Sequence, residues 1–260
     1  MNLCDELTIR MLLERHGFHF SKSMGQNFLI DPQIPADIAA ADETCGVLEI
    51  GPGIGPLTSE LAQRAGKVVS IELDRALLPI LAETMAPYSN VEIVPGDVTR
   101  LDLKALIGEK FAGLRPIVCA NLPYNITTPV LTALVDIPAI ESITVLIQKE
   151  AAQRLTSAKG SADGAFPLRL QYEMETECLF DVPPEKFLPA PKVTSTVLRC
   201  VRRRPSGMRR FSSGSSREPS CCGEKPYPIP CPLLCRGGTR PPLPTPSPPA
   251  ACLHRSGERR

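Results

Sequence analysis

The feature that most narrows the possible folds is an alternation of short apolar runs with segments of helical period. Residues 47–50, 67–72, 91–94, 117–120 and 142–148 read as strands. Residues 57–65, 76–85 and 127–135 between them read as helices. Neighbouring parallel strands need a crossover connection, so this order predicts an α/β fold with a doubly wound parallel sheet. Upstream, Leu3, Leu7, Met11 and Leu12 suggest a helix over 3–15. Asp31-Pro32 reads as the start of another helix, running to about residue 41. Residues 178–182 and 193–201 flank a proline-rich connection and predict an antiparallel pair that finishes the sheet.

In doubly wound sheets ligands bind beyond the carboxyl ends of the strands. Four successive strand ends here carry Gly51, Glu72, Asp97 and Asn121, and together they predict one site. The turn Glu49-Ile-Gly51-Pro-Gly53-Ile-Gly55 has the spacing GxGxG. A dinucleotide fingerprint is GxGxxG, whose backbone cradles a pyrophosphate. The shorter spacing favours S-adenosylmethionine, which needs close backbone approach but carries no phosphate. Glu72 stands 21 residues beyond Gly51, where an acidic side chain can accept both ribose hydroxyls. Asp74 is expected to cap the next helix. Asp97 can accept from an adenine amine, or it can close an Asx turn after Gly96. In Asn121-Leu122-Pro123-Tyr124 an amide oxygen can accept from a target amine while the neighbouring aromatic ring stacks on its base.

The charge is unevenly divided. Overall it is +1, yet residues 201–260 hold 12 Lys+Arg against 3 Asp+Glu, and the first 200 hold 17 against 25. The last 60 residues also carry 12 of the 28 prolines and 5 of the 10 cysteines. A segment with so little to bury is expected to be disordered. No apolar run reaches the roughly 18 residues of a membrane span, and Asp5, Glu6 and Glu14 interrupt the first 22 residues, against a secretory signal. The cysteines lack metal-ligand spacing, so no metal is expected, and free thiols favour a cytoplasmic protein.

Several runs recur in the order of one family: 22–29, 47–58, 71–74, 96–97, 121–128, 148–150 and 189–195. Over about 20–200 the chain resembles the rRNA adenine dimethyltransferases. The resemblance implies a Rossmann-like methyltransferase sheet and S-adenosylmethionine as cofactor. It implies dimethylation at N6 of two adjacent adenosines near the 3′ end of small-subunit rRNA, during ribosome biogenesis. It makes Asn27, Leu29, Gly51, Glu72, Asp97 and Asn121 cofactor-binding, and Asn121 and Tyr124 catalytic. Leu122, Pro123, Tyr124, Phe28 and Phe187 become substrate contacts. The partner implied is the rRNA of a pre-ribosomal particle, met by a monomer. Residues 183–187 and 191–195 favour the small-subunit type over the large-subunit enzymes of macrolide resistance. A non-catalytic assembly factor that binds cofactor and RNA, or an inactive truncated product, are the other readings.

The chain also departs from the family. Pro167 and Arg169, in 163–170, argue against helix there. The organisation expected is an N-terminal helical segment over 1–20, a methyltransferase domain over 21–202 and a tail over 203–260. The family's small helical C-terminal domain is missing from that tail. Back-translated with permitted codons, Met208–Cys231 can spell in another frame an amphipathic string containing Arg-Arg-Lys-Thr-Leu, as the family's helix does. The tail is therefore expected to be out of frame from about residue 208.

Overall fold

A computed structural model of the chain describes residues 1–20, 25–157 and 164–203. The seven strands of the main sheet are β2 (Cys45–Ile50), β3 (Lys67–Glu72), β4 (Val91–Pro95), β5 (Arg115–Asn121), β6 (Ser142–Gln148), β7 (Met174–Val182) and β9 (Ser195–Arg202). Their order is β4-β3-β2-β5-β6-β9-β7. The strands from β4 through β6 are mutually parallel, and β9 and β7 close the sheet antiparallel, β9 lying between β6 and β7. The strand order reverses between β2 and β5, the switch point where such sheets open a crevice.

Both faces of the central strands are buried, which explains why they read as unbroken apolar runs rather than alternating ones. Leu48, Ile50, Val118 and Ala120 face a core shared with α5 (Leu103–Lys110), α6 (Thr127–Val135), α7 (Lys149–Thr156) and α8 (Ala165–Glu173). The alternate residues Val47, Ile117 and Cys119 face α2 (Gln33–Ile38) and α3 (Pro56–Ala62). A short ladder of β1 (Phe28–Leu29) and β8 (Phe187–Leu188) lies outside the main sheet.

The N-terminal helix α1 (Glu6–Arg15) is capped by Asp5, whose carboxylate accepts from the Thr8 amide at 2.9 Å. Its inward face is Ile9, Leu12 and Leu13, whereas Leu7 and Met11 are exposed. The expected apolar stripe was thus rotated: Leu3 and Leu12 are buried and the other two are not. Ile9 and Leu13, with Phe18, pack against Phe28, Ile54, Leu77 and Ile80. Glu83 on α4 (Leu78–Thr84) ties this helix down through His16 at 2.7 Å and Arg15 at 2.5 Å.

Three helices differ from the sequence reading. Residues α5 and α7 were not anticipated, although Asp102 caps α5 by accepting from the Ala105 amide at 2.9 Å. Against expectation, α8 forms across Pro167. The proline is its third residue, in the first turn, where a backbone N–H has no intrahelical acceptor to lose. Arg169 projects from that helix to an ion pair with Asp136. The expected tail, and its reading frame, lie outside the described residues.

Candidate active site

The carboxyl ends of β2, β3, β4 and β5 converge on one cavity of about 220 Å³, joined by the residues around β1. Gly51, Glu72, Asp97 and Asn121 all line it, so the four strand ends meet as the sequence pattern indicated. The turn after β2 is shaped by two glycines in particular. A Cβ on Gly53 would stand 3.1 Å from the Phe28 ring, at a φ of +63°. One on Gly55 would overlap Met85 Cε at 2.5 Å, at a φ of +95°. Side chains are strained at such φ values, and the Gly53 Cβ would in addition press on the Phe28 ring, whereas the flexible end of Met85 could give way at Gly55. The Gly51 amide is already spent on the Ile71 carbonyl, at 3.0 Å, which carries the ladder one residue past β2.

Glu72 is 6 % exposed, and burial raises its carboxyl above the ordinary range. One carboxylate oxygen accepts from the Asp74 amide at 2.8 Å and the other from the Gly53 amide at 3.3 Å. These bonds fix the carboxylate against the glycine turn. Asp74 does not cap α4, whose N-cap position is Leu77 with no side-chain cap. It closes a turn before that helix, accepting from the Ala76 amide at 2.9 Å, and its second oxygen accepts from Gln26 Nε2 at 2.7 Å. Asp97 closes an Asx turn through the Thr99 amide at 2.9 Å and the Thr99 hydroxyl at 2.7 Å, and those bonds lower its pKa. All of these contacts use Oδ1; Oδ2 stands 3.3 Å from Arg100 Nε. Asp97 therefore has the turn role and also borders the cavity.

Asn121 ends β5 and donates from Nδ2 to the Asn27 carbonyl at 3.2 Å. That bond orients its Oδ1 as an acceptor. Asn27 in turn donates to the Gly25 carbonyl at 3.1 Å, and Leu29 is buried against α2. Leu122 is anchored by its amide to the Leu146 carbonyl at 3.1 Å and is buried in the core while touching the cavity. Pro123 and Tyr124 form the cavity wall beside it, and Tyr124 Oη lies 2.8 Å from Ser195 Oγ. Phe28 is buried against Phe18 and Phe20, with its ring under Gly53. Phe187 pairs with Leu29 in the small ladder and sits in the core with Val182 and Val197, away from the cavity wall.

Glu49 is the site residue that sequence reading missed. It lies on β2, is 1 % exposed and lines the cavity. Its Oε2 accepts from Thr58 Oγ1 at 2.7 Å and Ser70 Oγ at 2.6 Å. Burial raises its carboxyl to about 7, with the Glu72 charge a smaller cause. The available signal was a lone acid inside a strand otherwise free of charge. Leu73 also went unremarked; it leaves 52 % of its surface exposed at the cavity edge, beside Glu72.

The cavity is strongly one-signed. Glu49, Glu72, Asp74 and Asp97 line it, and among the described residues no Lys, Arg or His does. A phosphate-bearing cofactor would find repulsion there, and a cation with hydroxyls would find acceptors. A doubly wound sheet with such a cavity at its switch point is built as a nucleoside-cofactor domain of the methyltransferase type.

The chain belongs to the ribosomal RNA adenine dimethylase family, whose pattern matches residues 17–213. A ribosomal RNA small subunit methyltransferase A from Geobacillus sp. (strain WCH70) is 45 % identical over 201 residues, 75 % of this chain and 69 % of that protein. The protein of that name from Anoxybacillus flavithermus is 46 % identical over 74 % of this chain and 67 % of its own length. The chain thus spans about two thirds of these relatives. Among solved structures, the 23S rRNA methyltransferase ErmE is similar at 31 % identity and a TM-score of 0.58, over 68 % of this chain and 70 % of that one. A dimethyladenosine transferase from Plasmodium falciparum gives 26 % identity and 0.59, over 67 % and 63 %. No helix among the described residues is long and apolar enough to cross a membrane.

Proposed function

We propose that the chain transfers methyl groups from S-adenosylmethionine to the N6 amine of two adjacent adenosines near the 3′ end of small-subunit rRNA. The observation that carries this reading is the acidic cavity, lined by no described Lys, Arg or His, with Asn121 and Tyr124 on its wall. The curated relatives support the small-subunit substrate over the large-subunit one. In this reading the enzyme acts as a monomer on immature small subunits in the cytoplasm.

The residues present fit the cofactor. The glycine turn lines the cavity, and a Cβ on Gly53 would crowd the Phe28 ring that lines it too. Glu72 would accept from the ribose hydroxyls, and Leu73 and Asp97, both lining the cavity, would hold the adenine. Gly51, Asn27, Leu29 and Glu49 line the same cavity and would hold the methionine end. When bound, S-adenosylmethionine supplies an electrophilic methyl carbon on a sulfonium.

The target is an aryl amine, neutral near pH 7, so it needs no base before attack. Asn121 Oδ1 would accept one amine N–H and so fix the direction of the nitrogen lone pair. Tyr124 lays its ring against the base and holds the plane of attack, with Leu122 and Pro123 setting the loop's path. Holding a reactant in its attack geometry can supply about 7–11 kcal/mol of the barrier. The proton lost from the methylated nitrogen passes to water.

The test is transfer of labelled methyl from S-adenosylmethionine to immature small ribosomal subunits, with the position read by primer extension. Four methyl groups on two adjacent adenosines are expected from the reading. Cofactor binding without any transfer would overturn it in favour of a non-catalytic assembly factor.

A further inference from the structure

Outside the cavity lining, a single hydroxyl on the antiparallel strand β9 holds the far end of the Tyr124 side chain. Ser195 is 0 % exposed, and its Oγ lies 2.8 Å from Tyr124 Oη. Tyr124 opens a three-residue 3₁₀ turn, Tyr124–Ile126, with no side-chain cap. On its N-terminal side the loop is held by the Leu122 amide, and on its C-terminal side Thr127 Oγ1 donates to the Pro123 carbonyl at 3.3 Å. The Tyr124 side chain is tethered at its far end, by Ser195 alone among the described residues.

Ser195 is itself placed with unusual firmness. It pairs with Gln148 of β6 on one side and Val182 of β7 on the other. The next residue, Thr196, donates from Oγ1 to Asp181 at 2.6 Å, and Asp181 accepts from Lys149 Nζ at 2.5 Å. The Lys149 amide donates to the Thr194 carbonyl at 3.0 Å. The start of β9 is thus clamped by two strands and by the first residue of α7. A rigid sheet residue holds the tip of a loop side chain, the arrangement by which a site on a loop gains the precision of its scaffold.

We propose that Ser195 is a positioning residue for the target base: it fixes the Tyr124 ring plane through the Tyr124 hydroxyl, which has this anchoring role and no chemical one. The proposal rests on the reading that Tyr124 stacks on the adenine. It explains why a tyrosine stands where stacking alone needs only a ring. It also assigns a function to the antiparallel end of the sheet, none of whose described residues lines the cavity.

The experiment compares the full chain with Ser195→Ala, Tyr124→Phe and the double variant. Methyl transfer to immature small subunits and calorimetric S-adenosylmethionine binding are measured on each. Incorporation of 3-fluorotyrosine gives one ¹⁹F resonance for each of the four tyrosines, and loss of one peak in Tyr124→Phe assigns Tyr124. Either single substitution is expected to lower kcat about ten- to a hundred-fold, with little change in cofactor affinity or RNA KM. The double variant should be no worse than either single one, because both remove the same bond. Ser195→Ala should also shift or broaden the Tyr124 resonance. Additive losses, an unchanged kcat or an unmoved resonance would each overturn the proposal. If the unsubstituted chain transfers no methyl, the functional reading fails by itself. The resonance then still decides whether Ser195 holds the ring.

Discussion

Replacing Glu49 by Gln tests the electrostatics of the cavity most directly. Burial raises the Glu49 carboxyl to about 7 from an ordinary 4.5. That difference favours its protonated form in the folded chain by roughly 3 kcal/mol. The folded-state pKa lies above the unfolded one, so this stability is fully present below about 4.5 and is lost as pH rises through about 7. A sulfonium and an ammonium bound nearby reverse the preference by stabilising the carboxylate. Cofactor binding must then release a proton from Glu49, close to one at pH 6 and almost none at pH 8.5. Calorimetry at pH 6 in buffers of different ionisation heat counts that proton. Glu49→Gln keeps an oxygen to accept from Thr58 and Ser70, so it should bind without this release. Its folded state should also lose Glu49's share of the stability decline expected of the parent between pH 5 and 8. Glu72, raised by burial as well, contributes to the parent's count and leaves a smaller residue in the variant. If Glu49→Gln releases as many protons as the parent, the carboxylate does not sense the cofactor and the argument fails.

What could be read from sequence follows from which interactions are local. The strand ends were legible because a parallel sheet needs continuous apolar runs, and the break at Gly51, Glu72, Asp97 and Asn121 marks where each run leaves the core. The pairing of 178–182 with 193–201 was legible too, but the insertion of β9 between β6 and β7 was not. Strand order depends on contacts far apart in sequence, which no local pattern encodes. Helix α8 was misjudged because proline was weighed as an interior residue, and a shift of one turn in the boundary changes its effect from breaking to neutral. The partners of Glu49 lie 9 and 21 residues away on α3 and β3, so its burial became visible only in three dimensions. The same holds for Ser195 and Tyr124, 71 residues apart. Phe187 shows the reverse: a motif position suggested substrate contact, and the ladder with β1 turns its ring into the core.

Three further predictions follow from the cavity. Glu72→Ala should weaken S-adenosylmethionine binding by about 1–3 kcal/mol in calorimetry, since charged acceptors for two hydroxyls are lost; an unchanged affinity removes Glu72 from the site. Asn121→Ala should lower methyl transfer far more than cofactor affinity, because the role proposed for its Oδ1, with Nδ2 held by the Asn27 carbonyl, is to accept from the target amine; equal losses would assign it to the cofactor alone. The last concerns residues 208–260. Among the described residues, every one lining the cavity falls between 25 and 126, and deleting that segment should leave cofactor affinity unchanged. RNA attraction is a different matter, because phosphate contacts scale with positive charge and weaken as salt rises. Residues 1–200 carry a net −8 and residues 201–260 a net +9, so the deletion should remove a salt-sensitive, sequence-independent share of RNA binding. A version read in the alternative frame should gain discrimination for the ribosomal substrate as well as affinity, because an amphipathic basic helix presents its charges in fixed positions. The three forms are compared across a salt titration of binding and methylation. If the present chain already equals the restored one in substrate methylation, the existing segment is sufficient and the reading-frame argument is wrong in its consequence.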